Sequence, residues 1–174
     1  MWIGMELKNK EEWIVKLAVL FYITSIIGYF YELILNYINT NKFFSHGILN
    51  GPWLPIYGTG SLLIMLLLKY HKKPFVVFLL SFLVTGTLEL ISGFMLLKFL
   101  KMRLWDYTGY FLNINGFVCL LSALCFGIGG LLVIYVIYPL VKKIYEKINK
   151  KFLYAILIIL SVIFLGDIIA TIIK

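Results

Sequence analysis

Long, nearly uncharged apolar runs constrain this chain more than any other feature. The run at 152–173, FLYAILIILSVIFLGDIIATII, holds one charged residue, Asp167. Comparable runs lie at 13–38, 74–97 and 116–138, and a shorter one, marked by proline and glycine at its start, lies at 53–68. A helix needs about 20 mainly apolar residues to cross the hydrocarbon core of a bilayer. The runs are continuous rather than alternating, which argues against a closed barrel. Of the 174 residues, 62% are hydrophobic and 14% charged, against roughly half and a quarter in soluble domains. Such a chain must be solvated by lipid. The expected fold is an all-α polytopic integral membrane helix bundle, one transmembrane domain over 1–174 with about five transmembrane helices. The second helix is expected to be tilted or partly re-entrant. The opening stretch MWIGMELKNKEEWIVK is charged and leads into a long run without a small-residue cleavage site, so that run is read as a retained helix rather than a signal peptide.

Lysine and arginine favour the cytoplasmic side of a membrane. Lys8, Lys10, Lys16, Lys69, Lys72, Lys73, Lys142, Lys143, Lys147, Lys150 and Lys151 fall on one side of the five-span arrangement, and Lys42, Lys98, Lys101, Arg103 and Lys174 on the other. The expected orientation is N-terminus inside and C-terminus outside. The net charge of +8 then mostly faces anionic headgroups and calls for no nucleic acid.

One organisation recurs along the chain. GYFYEL, with Gly28 and Glu32, is followed by an aromatic-polar loop, Asn50-Gly51 and then YGTGS. GTLEL, with Gly86 and Glu89, is followed by Trp105, Asp106 and Tyr107, then Asn115-Gly116 and FGIGG. The pattern suggests a duplicated helix-loop-helix unit, 13–70 and 74–139, with a fifth helix at 152–173. Both units start on the same side, as parallel repeats about an axis along the membrane normal would.

Three acids, Glu32, Glu89 and Asp167, fall inside apolar runs. An ionisable group at bilayer depth is costly and faces the protein interior or a wet cavity. Ser25, Gly28, Glu32 and Asn36 share one helical stripe, and Ser81, Thr85, Glu89 and Ser92 another. Small and polar stripes are also how helices pack in lipid, and that role suffices for the serine, threonine and glycine positions. Glu32 and Glu89 point further, since glutamine would serve as packing glue at lower cost. Both lie in the outer half, beneath loops that carry His46, Asn50, Asp106, Asn113 and Asn115. These residues form the candidate substrate- or ion-binding set. Asp167 lies outside the repeat and is expected to act in packing or assembly.

The stretch FFSHGILNGPWLPIYGTG, 43–60, must return the chain into the membrane. Asn50-Gly51 favours a tight turn with positive φ, Pro52 presets φ, and Pro55 suits a first helical turn. Gly51, Pro52, Pro55 and Gly58 are therefore structural turn candidates.

YELILNYINTNKFFSHGILNGPWLPIYGTGSL, GTLELISG, LWDY, FLNINGFVC and YPLV together resemble the bacterial ABC transporter permease, type IV, family over about 21–141. The resemblance implies the membrane subunit of a transporter, multi-pass in a bacterial cytoplasmic membrane, with an ATPase or other membrane subunits as partners. It supplies no catalytic or binding residues. The chain has no G-x-x-x-x-G-K-[ST] phosphate loop, so a partner ATPase would dock at the basic side, where YPLVKKIYEKINKKF also reads as an interfacial amphipathic helix.

No catalytic residue, metal or cofactor is assigned. Cys119 and Cys125 sit six apart in one apolar run and do not suggest zinc or a redox pair. Membrane lipids and a second copy of the chain are further candidate partners. The alternatives to transport are a membrane enzyme acting on a lipid-linked substrate at the outer interface, using His46 with Asp106 or a glutamate, or a non-catalytic assembly partner.

Overall fold

The computed structural model describes residues 10–44 and 47–173. Lys8, His46 and Lys174 of the sequence argument lie outside them. Helix α1 (Lys10–Thr40) opens on Glu11 and Glu12, whose charges suit the positive end of a helix dipole. Its 31 residues reach about 46 Å. It stops at Asn41, which takes φ 55° and donates its N–H to the Tyr37 carbonyl at 2.8 Å. Asparagine tolerates this left-handed closure better than most residues.

Helix α2 (Pro55–Met65) starts with proline in its first turn, where the missing N–H costs nothing. Its 11 residues reach only about 16 Å, half a hydrocarbon core of about 30 Å. A 3-10 turn, Leu68–Tyr70, follows. The second helix, expected from the sequence to be short, is thus too short to cross by itself, and the non-helical residues before it and the 3-10 turn after it complete the path between the two ends.

Helix α3 (Pro74–Met95) runs into a π turn, Leu96–Leu100, and ends at Lys101 with φ 56°. Helix α4 (Leu120–Leu132) is capped by Cys119, whose sulfur accepts the Ser122 N–H while the Ser122 hydroxyl accepts the Cys119 N–H. It begins four residues later than the apolar run suggests, because 115–117 form a turn and 118–119 are not helical. A π turn, Val133–Ile137, links it to α5 (Tyr138–Lys147). Pro139 removes one N–H from the ladder, and the wider turn before it relieves that defect. The basic stretch therefore continues α4, with Tyr138 and Val141 in the core. Helix α6 (Lys150–Ile173) starts where Asn149 Oδ1 accepts the Lys151 N–H at 2.9 Å.

Four helical stretches, Lys10–Ile38, Pro74–Leu100, Leu120–Lys147 and Lys150–Ile173, are long and apolar enough to cross a membrane. The most extensive contacts join α1 with α2 and α3 with α4. Small residues make these approaches close: Gly58 faces Ser25 and Phe21, and Gly130 faces Ser81. The apolar core, with Leu20, Leu68, Val77, Tyr138 and Val141, gathers toward the end holding the 66–73 connection, the basic end. The polar side chains gather toward the other, the loop end, which carries 41–54 and 101–119. Helix α6 lies against α1, through Tyr22–Ser161 at 2.9 Å and Tyr154–Glu11 at 2.8 Å.

Candidate functional site

At the loop end the chain re-enters the bundle twice, each time just after Asn-Gly. Residues 53–54 and 117–119 are buried without being helical. Their backbone must find partners, since lipid offers none. Leu54 N–H donates to the Ser25 carbonyl at 3.0 Å, and Ile114 N–H to Val118 at 2.9 Å.

The two Asn-Gly pairs behave differently. Asn115 and Gly116 take φ 52° and 70°, and Phe117 N–H closes on the Ile114 carbonyl at 3.0 Å. That is the double positive-φ turn favoured by Asn-Gly. Gly116 is required for space as well, because a Cβ there would sit 2.5 Å from Asp106 Oδ1. At Asn50-Gly51 the expected positive φ is absent. Asp167 overrides it. Asp167 Oδ1 accepts the Asn50 N–H at 3.0 Å and its side-chain amide at 2.7 Å, while Oδ2 accepts the Gly51 N–H and Trp53 Nε1, both at 2.8 Å. Around Pro52, Trp53 N–H returns to the Gly51 carbonyl at 2.9 Å, a three-residue turn suited to proline's φ.

Below these turns lie the helix carboxylates. Glu89 on α3 is 4% exposed. The Tyr107 hydroxyl donates to its Oε1 at 2.9 Å and the Ser122 hydroxyl to its Oε2 at 2.8 Å. Among the described residues its partners are hydroxyls, and none is basic. Tyr107 is held in place by its own N–H on the Gly116 carbonyl at 2.9 Å. Glu32 on α1 receives the Tyr57 hydroxyl at 3.3 Å. Tyr57 follows Asn50 by seven residues, as Ser122 follows Asn115.

The Tyr57 ring lies directly over Gly28, where an added Cβ would meet Tyr57 Cγ at 2.3 Å. Gly28→Ala is expected to displace the ring from Glu32 and to cost about 1–3 kcal/mol through overpacking. Thermal unfolding in detergent measures it, and an unchanged melting temperature would refute the close fit.

The other candidates sit apart from the carboxylates. Asn50 turns to Asp167 and, at 3.4 Å, to Thr171. Asn113 Oδ1 accepts the Gly116 N–H at 3.1 Å, and the Asn115 carbonyl accepts Arg103 at 2.7 Å. Asp106 pairs with Arg103 at 2.8 Å and accepts the Thr108 hydroxyl and N–H at 2.6 and 2.9 Å. The Thr108 donors, with Arg103, hold Asp106 below its usual 3.8, down to about 2. The charged carboxylate therefore braces this exposed loop above about pH 4, and the brace is lost as pH falls toward 2.

Sequence reasoning names Tyr107 only as part of the repeat and does not single out Tyr57 or Ser122. Their roles as glutamate partners were not apparent, although the equal spacing from each Asn-Gly was a usable signal. Among the described residues, no three of His, Cys, Asp and Glu cluster to hold a metal ion.

The buried Glu89 carboxylate among lipid-length helices defines a polytopic helical membrane protein with a polar interior at one end. The sequence model of the family described as Putative ABC-transporter type IV matches residues 19–172, and the chain belongs to that family. It is a transport-related membrane protein. No curated protein and no solved structure matches it.

Proposed function

We propose that Glu89, with Glu32, binds a proton or small cation that this protein moves or couples to transport. The observation carrying this reading is the buried Glu89 carboxylate, met by two hydroxyl donors. An acid at this depth is costly unless a proton or cation balances its charge. Hydroxyl groups suit that exchange, since they can turn from donating to accepting. In this reading Tyr57 and Tyr107 are the groups between the carboxylates and the loop end, and Asn50, Asn113, Asn115 and Asp106 shape the loops above. The paired packing of α1 with α2 and α3 with α4, and the matched seven-residue spacings, support a duplicated unit.

The test is reconstitution into vesicles carrying a pH dye or a sodium dye. Wild-type protein should dissipate an imposed proton or cation gradient faster than empty vesicles. Failure to do so, together with no effect of pH or cations on thermal stability, would sink the proposal.

We place the basic end in the cytoplasm. Tyr110→Cys, in the 101–119 loop, should react with an impermeant thiol reagent on intact cells, while Lys72→Cys should not. Both are made with Cys119→Ser and Cys125→Ala. Labelling at 72 and not at 110 would invert the assignment.

A further inference from the structure

A groove of about 430 Å³ opens between α2 and the loop-end half of α3. Pro55, Ile56 and Thr59 form one wall; Leu88, Met95 and Phe99 are on the other. Leu88, Ser92, Met95 and Phe99 follow one another at helical steps of three and four, so they share a face. Glu89 turns instead toward Ser122 on α4. The groove is thus separate from the carboxylates.

Two features say what fills it. The lining is almost wholly apolar, and its hydroxyls are Thr59 and Ser92. Ser92 already donates to the Glu89 carbonyl at 3.1 Å, so the walls suit hydrocarbon. At the rim, the π turn Leu96–Leu100 presents Lys98, whose ammonium lies 5.5 Å from the centre of the Phe99 ring and 5.8 Å from that of Phe94. Lys98 is exposed and has no acidic partner among the described residues. Lys101 follows where the helix stops. Arg103, by contrast, is already committed to Asp106. Hydrocarbon below and an uncompensated cation above match a phospholipid with an anionic headgroup. π turns also recur at functional sites.

We propose that this groove is a binding site for an anionic phospholipid, with one acyl chain between α2 and α3 and the phosphate at Lys98. The site goes beyond the ion-binding reading and stands without it.

The test is native mass spectrometry of the purified chain incubated with phosphatidylglycerol and phosphatidylcholine of identical acyl chains. Wild-type protein should retain phosphatidylglycerol about five-fold over phosphatidylcholine, the preference one lysine near a headgroup supplies. Lys98→Gln, at an exposed position, should bring the ratio close to one without changing the melting temperature. Thr59→Phe should lower retention of both lipids by occupying the groove. Lys143→Gln, at the basic end, should leave the ratio as it was. A preference that survives Lys98→Gln, or that falls only with Lys143→Gln, would overturn the site. So would full lipid retention in a folded Thr59→Phe variant.

Discussion

Glu89→Gln should abolish ion coupling while leaving the protein folded. Glutamine keeps a carbonyl oxygen where Tyr107 and Ser122 now donate. The Ser122 hydroxyl also lies 3.0 Å from the Cys119 carbonyl and can turn to it, accepting from the new amide instead. The hydrogen bonding therefore closes with the charge removed. Vesicle-borne Glu89→Gln should show a flux near that of empty vesicles and no pH dependence, with a melting temperature close to wild type. Glu89→Ala is the contrasting change. It leaves a cavity and strands the buried Tyr107 and Ser122 hydroxyls, at a cost of about 2–4 kcal/mol. If Glu89→Gln carries ions at the wild-type rate, the carboxylate is packing and the ion-binding proposal fails. If both variants unfold alike, the charge itself holds the bundle together.

Asp167→Ala should release the first re-entrant turn. One carboxylate now serves two successive backbone N–H groups, an asparagine amide and an indole. Hydrogen bonds between helices in a membrane are each worth about 0.6 kcal/mol on average and up to about 1.7. Four of them together amount to roughly 2–4 kcal/mol. The upper part of that range applies if the freed N–H groups stay dry, and the lower part if water reaches Asn50, which is exposed. A melting temperature lower by roughly 5–10 °C follows for a chain of this size. Trp53, now 5% exposed, should shift its emission to longer wavelength. Asp167→Asn, which keeps one acceptor oxygen, should fall between. Ion flux per folded molecule should survive, since Asp167 lies apart from Glu89. Unchanged stability and unchanged Trp53 emission in Asp167→Ala would remove its role as a clasp.

Asp167 shows why part of the site was hidden. Read locally, it is one acid in an apolar helix, and an effect on packing was all that could be expected of it. Its partner Asn50 is 117 residues away, and no spacing rule links them. The Asn-Gly pairs make the same point. Asn115-Gly116 takes the backbone its dipeptide prefers, because the turn closes within four residues, from Ile114 to Phe117. Asn50-Gly51 does not, because four hydrogen bonds from another helix outweigh a preference of one turn. Tyr107 was legible only as part of the repeat, and its hydroxyl meets Glu89 because the Gly116 turn folds the loop back over α3.

The sequence by itself determined the number of long helices, their approximate limits and the burial of Glu89. In lipid each helix must satisfy its own backbone, so hydropathy and length leave little choice. An acid on a small-residue stripe must likewise turn inward. Tertiary structure decided which donors meet which acid, that α2 is helical only over Pro55–Met65, and that α5 continues α4. These depend on where separate helices cross and on loops returning between them. Such contacts are made by residues far apart in the chain, whose local preferences are too weak to specify a partner.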